Sequence, residues 1–142
     1  MSFMTAPYFV DTNVLVYADD RSAGVKRDRA RELIRRALRD GRARLSTQVL
    51  AEYFAVATRK LGLASATARR RVEIYAALSV FRPAVDDLLA AIDLHRLHDL
   101  SIWDAMIVRS ARASGCRVLY SEDLQHGQGF DGVLVVDPFR PE

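Results

Sequence analysis

The chain has 142 residues, of which 50% are hydrophobic and 27% charged, with a net charge of +3. This balance excludes an intrinsically disordered composition, and the single cysteine, Cys116, excludes an internal disulfide and a cysteine-based zinc site. Because no stretch approaches the ~18 apolar residues of a membrane helix and no secretory leader pattern opens the chain, we expect one cytoplasmic domain over residues 1–142 with no membrane contact.

Apolar periodicity predicts alternating strands and helices. In chain order it predicts a strand at 8–10, helices at 14–18, 25–39, 49–61 and 67–78, a weaker strand at 80–82, helices at 88–97 and 102–113, and strands at 118–120 and 133–136. The apolar runs at 8–10, 118–120 and 133–136 do not alternate with polar residues, which is typical of strands buried on both faces in a parallel sheet. The order predicts an α/β sandwich with right-handed crossovers.

The positive charge is concentrated in residues 21–44. This block holds ten arginines and lysines against three acids, a local balance of +7, so the rest of the chain carries −4. Such a block attracts anions, nucleic acid or an acidic partner protein, but it is equally typical of a solvated helix face. Composition leaves both interpretations open.

Two aspartates lie at or just after the ends of predicted strands. Asp11 ends the stretch Y8-F9-V10-D11, and Asp123 lies just after the strand at 118–120. Ligands of open parallel sheets bind at the carboxyl ends of strands, so these acids are candidates for one crevice. A buried carboxylate without a partner is costly, and something must therefore meet Asp11.

Two further acids interrupt apolar helical patterns. Glu52 lies within V49-L50-A51-E52-Y53-F54, and Asp104 lies in the first turn of the helix at 102–113. Four semi-buried acids would repel one another and raise their pKa values unless a cation neutralises them. Carboxylate-only ligation favours Mg²⁺ or Mn²⁺, which activate water in phosphodiester cleavage.

Each acid also has a structural interpretation. Asp104 completes the capping-box pattern S101-x-x-D104, and Asp123 is a common turn residue after a strand. Glu52 is compatible with an arginine pair or a solvent-facing helix edge. Asp11 is the acid least easily explained in this way.

The neighbouring polar residues and the histidines are weaker candidates. Thr12 and Ser121 are either helix-start and turn residues or hydroxyls that support the acids. His95 and His98 have metal-ligand spacing, but histidines near a helix C-terminus more often interact with the macrodipole. His126 is either a contact to the scissile phosphate or a loop residue.

Taken together, these segments resemble a known family. The stretches F9-V10-D11-T12-N13-V14-L15, S101-I102-W103-D104-A105-M106-I107 and L119-Y120-S121-E122-D123-L124, with Glu52 on a mid-chain helix, resemble the PIN-domain ribonucleases. Within that family the chain is similar to the toxins of VapC-type toxin–antitoxin pairs. The resemblance covers essentially the whole chain in the family's order.

The resemblance implies a three-layer α/β/α sandwich with a largely parallel central sheet. It also implies an Mg²⁺- or Mn²⁺-dependent endoribonuclease that acts on RNA, forms a homodimer and is held inactive by a cognate antitoxin. By motif, the catalytic acids would be Asp11, Glu52, Asp104 and Asp123; the metal ligands would be Asp11, Asp104 and Asp123, and the supporting hydroxyls Thr12 and Ser121.

Two other functions remain open on the sequence. One is a PIN-like module that binds RNA or protein without cutting it, although a pure binder gains nothing from holding four repelling acids together. The other is a phosphatase that forms an aspartyl-phosphate, but that chemistry needs a second acid two residues after the nucleophile, where this chain has Asn13. No motif identifies the RNA or the antitoxin.

Overall fold

The computed structural model describes residues 6–141. Within them the strands are β1 (Tyr8–Val10), β2 (Ala43–Ser46), β3 (Ser79–Phe81), β4 (Val118–Tyr120), β5 (Gly129–Phe130) and β6 (Val133–Val136). The helices are α1 (Thr12–Ala18), α2 (Val25–Asp40), α3 (Thr47–Arg59), α4 (Ser65–Tyr75), α5 (Val85–His98) and α6 (Ile102–Ala113).

The strands form one sheet in the order β3-β2-β1-β4-β6-β5. Every pairing is parallel except that of the two-residue β5 with β6. At the centre, β1 pairs with β2 and β4, and its residues Phe9 and Val10 are completely buried. The predicted largely parallel sheet is therefore confirmed, and β1 is buried on both faces as predicted. The same prediction is wrong for β6, where Leu134 is 42% exposed because this strand lies near the end of the sheet, beside the two-residue β5.

Helices cover both faces of the sheet, as the predicted three-layer sandwich requires. Helix α1 packs against α2 and α3, and α3 packs against α4, whereas α5 packs against α6, which also contacts β2, β4 and β6. One cluster of buried side chains joins these elements. None of the helices within residues 6–141 has the length and apolar character needed to cross a bilayer.

Three strands and several helix ends differ from the sequence-based expectation: β2 and β5 are not predicted, and β3 begins and ends one residue before the strand predicted at 80–82. The sequence A43-R44-L45-S46 forms β2 although its apolar residues are interrupted, because it lies between β1 and β3 and buries Ala43 and Leu45. Helices α3 and α4 start and end two or three residues earlier than predicted, and α5 starts three residues earlier. The predicted bounds of β1, β4, β6 and α6 are confirmed.

Because the central strands run in one direction, the sheet has two chemically distinct edges. Asp11 and Ser121 directly follow β1 and β4 at the carboxyl edge, where the Asp11 backbone N–H also donates to the Tyr120 carbonyl over 3.0 Å. At the opposite amino edge, Arg42 and Arg117 directly precede β2 and β4.

Candidate active site

Asp11 is a buried carboxylate at the centre of the carboxyl edge. It is 3% exposed and caps α1, accepting a 2.7 Å hydrogen bond at Oδ1 from the Thr12 backbone N–H. Its other oxygen accepts a 2.7 Å hydrogen bond from Ser121 Oγ. Burial raises the pKa of Asp11 to about 7; these two hydrogen bonds oppose the shift, and the charges of Asp123 and Glu52 add to it.

Ser121 connects Asp11 to the loop that carries Asp123. This serine is completely buried, and its Oγ accepts a 3.1 Å hydrogen bond from the Asp123 backbone N–H while donating to Asp11. The two bonds fix the start of the loop against the end of β1. The Asp123 side chain is exposed rather than semi-buried as expected, because it extends from this loop toward solvent.

Thr12 makes the corresponding link to α3. Its Oγ1 donates to Glu52 Oε2 over 3.0 Å, and Gln48 Nε2 donates to Glu52 Oε1 over 2.8 Å. Glu52 is therefore held by a hydroxyl and an amide rather than by an arginine. Gln48 Nε2 also lies 3.2 Å from the carbonyl oxygen of Trp103, so this one amide bridges α3 and the first turn of α6.

Asp104 lies in that first turn of α6. Ser101 caps the helix by accepting a 3.1 Å hydrogen bond from the Asp104 backbone N–H, but the reciprocal bond from the Ser101 backbone to the Asp104 carboxylate is not formed within the described chain. Burial raises the pKa of Asp104; the Ser101 hydroxyl lowers it, and the charges of Asp123 and Glu52 raise it further. The Asp104 carboxylate is thus not used for capping.

The four acids form one electrostatic group. Asp123 and Glu52 repel both Asp11 and Asp104 strongly enough to raise the pKa of each. Within residues 6–141, however, no three histidine, cysteine, aspartate or glutamate side chains converge closely enough to form a ready-made metal site. Hard carboxylate oxygens that repel one another fit a hard divalent cation, which would have to draw them together.

A wide cleft opens beside two of these acids, Glu52 and Asp123, whereas Asp11 and Asp104 do not line it. Its volume is about 1020 Å³, and its walls include Thr12, Asn13, Glu52 and Asp123. From there it extends along α1 and α3 to Arg21 and Lys60. Its volume lies at the upper limit for small-molecule pockets, and its open form suits a segment of polymer.

The structure does not bring the histidines to this cleft. His95 Nδ1 contacts the Leu100 carbonyl oxygen, and the His98 ring packs edge-on against Phe130. His126 Nδ1 accepts a 3.0 Å hydrogen bond from the Asp137 backbone N–H. Each of the three rings therefore has its own structural contact.

The basic block at 21–44 does not form one surface. Lys26 forms a 2.7 Å ion pair with Glu122, which also accepts a 2.7 Å hydrogen bond from the Tyr17 hydroxyl. Lys26 thereby ties α2 to the loop beside Asp123. Arg31 instead donates to the Ala18 carbonyl oxygen, while other arginines of the block lie at the amino edge.

Asn13 and Gln48 support the site but were not singled out from the sequence. Asn13 Oδ1 accepts a 3.3 Å hydrogen bond from the Glu122 backbone N–H, and its Nδ2 lies 3.5 Å from Asp11 Oδ2. The one available signal for Gln48 is its position four residues before Glu52, which places the two side chains on the same helix face.

Comparisons with known proteins agree with this architecture. The PIN domain family model matches residues 8–128, a span that includes all four acids. Among solved structures, the fold is similar to that of VapC20 of Mycobacterium tuberculosis, described as a sarcin-ricin loop cleaving toxin, with a TM-score of 0.67 and 22% identity over 80% of this chain and 88% of that chain.

It is also similar to VapBC2 of Rickettsia felis, solved bound to a DNA fragment from the promoter, with a TM-score of 0.65 and 15% identity over 90% of this chain and 96% of that chain. The search of curated proteins finds no match. The family match covers most of the chain. The chain belongs to the PIN-domain family.

Proposed function

We propose that this protein is a metal-dependent endoribonuclease and the toxin of a toxin–antitoxin pair. The observation that carries the proposal is the placement of four acids at the carboxyl edge of a PIN fold, with Asp11 buried at its centre and the charges of Asp123 and Glu52 acting on both Asp11 and Asp104. Holding ionised acids together destabilises the fold, and a functional site is the usual reason for a protein to retain such an arrangement. The predicted catalytic acids Asp11, Glu52, Asp104 and Asp123 retain that role in the proposal.

Asp11, Asp104 and Asp123 are the residues that would hold a Mg²⁺ or Mn²⁺ ion. A divalent ion bound there supplies activation of a water molecule and stabilisation of charge on the phosphate. The hydroxyls of Ser121 and Thr12 orient Asp11, the Asp123 loop and Glu52 before any ligand arrives. Such preorganisation lowers the cost of assembling the site.

The cleft accounts for the polymeric substrate. Arg21 and Lys60 line the same cleft as Glu52 and Asp123 and offer positive charge to RNA phosphates lying along α1 and α3, although Asp19 and Asp20 also line it. One phosphodiester bond would then reach the acids. The fold likeness to a sarcin-ricin loop cleaving toxin supports RNA as the substrate class.

The partners follow from the same likeness. A cognate antitoxin is supported by the similarity to VapBC2, and a homodimer in the cytoplasm remains part of the proposal as the family resemblance implies. Growth arrest on expression of the wild-type chain, relieved by Asp11→Asn, would be the cellular sign of a toxin.

Cleavage of labelled RNA by the purified protein tests the proposed activity. We expect cleavage with Mg²⁺ or Mn²⁺, none in EDTA, and a loss of at least two orders of magnitude in Asp11→Asn. Asp93→Asn is the matched control because Asp93 is an exposed acid on α5, away from the cleft. Wild-type protein that binds RNA but leaves it intact with either metal would instead be the non-cutting binding module.

A further inference from the structure

We propose that a pocket at the amino edge of the sheet binds a phosphate and the adjoining base of the RNA strand, at a distance from the acids. The proposal deepens the proposed function and rests on it in taking RNA as the substrate. The pocket has a volume of about 200 Å³, and its lining includes Arg36, Arg42, Arg117, Tyr8 and Tyr120.

The three arginines reach this pocket from different elements. Arg36 lies on α2, Arg42 immediately precedes β2 and Arg117 immediately precedes β4. Because these strands are parallel, their amino ends lie side by side. Arg36 and Arg117 are exposed, and neither forms an ion pair with an acid in the described part of the chain.

One acid partly offsets this charge. Asp40 pairs with Arg42 over 3.3 Å and accepts a 3.1 Å hydrogen bond from the Tyr8 hydroxyl. Burial is the main reason that the pKa of Tyr8 rises to about 12, so this hydroxyl keeps its proton. Arg44 adds charge at the same edge, since its guanidinium donates to the carbonyl of Gly41 over 3.2 Å. The edge remains positive.

The size of the pocket limits its occupant. Pockets for independent small molecules have volumes of about 300 to 1,000 Å³, so this one fits a small part of a larger ligand. Guanidinium groups match the oxygens of a phosphate in geometry as well as in charge. An RNA strand carries a phosphate on every nucleotide, so it can place one phosphate in the pocket while the rest of the strand lies outside.

The aromatic wall favours RNA over an acidic protein segment. Tyr120 is half-buried, and its ring packs edge-on against the Tyr8 ring with the centroids 5.5 Å apart. The Arg42 guanidinium lies 5.8 Å from the Tyr8 ring centre. A tyrosine ring beside arginines offers a stacking surface for an unpaired base, which a carboxylate side chain would not use.

The pocket is close enough to the acids for both to act on one RNA molecule. Tyr120 is the last residue of β4 and precedes Ser121, which holds Asp11 and the Asp123 loop. The strands between the two edges have only three or four residues, so the sheet is roughly 10 to 14 Å across in this direction. Because helices cover both faces of the sheet, an RNA strand that reaches both sites must pass around them and needs more nucleotides than this straight distance alone requires.

Binding of a fluorescein-labelled oligouridylate in EDTA, between about 50 and 200 mM salt, tests the pocket without cleavage. For the double variant Arg36→Ala/Arg117→Ala we expect affinity to fall roughly ten-fold or more. The slope of log affinity against log salt should become less steep by about 0.7, since the pocket holds one phosphate and each lost phosphate contact on a single strand removes about 0.7. Arg70→Ala/Arg96→Ala removes two exposed arginines elsewhere and should leave both values unchanged.

Two further variants separate the parts of the pocket. Arg36→Lys/Arg117→Lys keeps the charge and should restore the salt slope but only part of the affinity, because lysine lacks the planar fork. Tyr120→Leu keeps an apolar side chain of useful size and should weaken binding several-fold with little change in slope.

Several results would contradict the proposal that this pocket binds RNA. Unchanged affinity and slope in the alanine double variant, or an equal loss in the Arg70/Arg96 control, would each do so. If an oligoglutamate binds wild-type protein and loses affinity in the double variant while the RNA does not, the pocket recognises an acidic protein segment instead. If the wild-type protein binds RNA in EDTA but does not cleave it when metal is added, the proposed nuclease function is wrong. The proposal that this pocket binds RNA would still hold.

Discussion

The carboxyl and amino edges of the sheet carry opposite charges and hold their charged groups differently. At the carboxyl edge, Asp11 is buried and receives hydrogen bonds from Thr12 and Ser121. At the amino edge, Arg36 and Arg117 extend exposed from two different elements. Cleavage of a phosphodiester bond requires catalytic side chains that are held in fixed positions, whereas electrostatic binding of a flexible RNA strand does not.

The difference follows from the direction of the strands. The residue after β1 caps helix α1 and the residue after β4 enters a loop, both beside the buried core, where polar groups must find partners. Ser121 and Thr12 supply those partners with hydroxyls that reach across elements. Burial and precise orientation therefore arise together at the carboxyl edge, and substitutions there should affect reaction rate far more than RNA binding.

The largest expected effect is at Asp104. Asp104→Asn should reduce cleavage by at least two orders of magnitude because it removes a metal-binding carboxylate, while oligouridylate binding in EDTA should not weaken. Ser101→Ala is the matched control: it removes the cap of α6, costs about 1 kcal/mol of stability and retains the carboxylate. Single-turnover cleavage rates of the two variants test this prediction. If Asp104→Asn cleaves RNA at nearly the wild-type rate, the role of Asp104 is structural.

A smaller effect is expected at Ser121. Ser121→Ala deletes the hydroxyl that joins Asp11 to the Asp123 backbone, so the two acids lose their fixed relation. We expect the cleavage rate to fall roughly ten- to hundred-fold. Rescue of part of that rate by Ser121→Thr would indicate that the hydroxyl itself is required.

Ser110→Ala is the control for burial. Ser110 is also buried, but its hydroxyl has no hydrogen-bond partner within residues 6–141. Its replacement should therefore leave the rate unchanged. Equal losses in Ser110→Ala and Ser121→Ala would mean that packing, rather than the link between the acids, sets the rate.

The acids could be predicted from the sequence because parallel topology brings strand ends together. Asp11 and Asp123 each follow an uninterrupted apolar strand, and that pattern is readable without coordinates. Asn13 and Gln48 could not be identified in this way, since their roles depend on which residues lie opposite them across the fold. That residues 1–142 make up a single domain stays a prediction.

The basic block at 21–44 shows a second limit of prediction from sequence. Residues 21–44 are uniformly rich in arginine, but a helix distributes side chains around its whole circumference. Lys26 consequently reaches the Asp123 loop, whereas Arg36 reaches the amino edge together with Arg117, which is distant in sequence. Strand β2 was missed for a related reason: Arg44 interrupts its apolar run although Leu45 is completely buried.

The smallest expected effect concerns stability and returns to Asp11. Its pKa in the folded protein, about 7, lies above the ordinary aspartate value of 3.8, because burial disfavours the ionised form. The folded state therefore holds a proton that the unfolded chain releases between about pH 4 and pH 7. Stability must therefore fall as pH rises through this window, and the full cost of the ionised, buried carboxylate is present above pH 7. Asparagine avoids that cost, since its oxygen can accept from the Thr12 N–H and its amide can donate to Ser121 Oγ.

In EDTA at pH 8 we expect Asp11→Asn to melt several degrees above the wild type, and at pH 5 the difference should largely disappear because Asp11 is then protonated. Asp93→Asn, which changes an exposed acid, should show no such pH-dependent gain. Mg²⁺ should raise the wild-type melting temperature more than that of Asp11→Asn, because only the folded wild type presents the full set of acids. If Asp11→Asn melts below the wild type at pH 8 without metal, the ionised carboxylate stabilises the fold through its hydrogen bonds. The acidic carboxyl edge would then not destabilise the protein, contrary to this prediction.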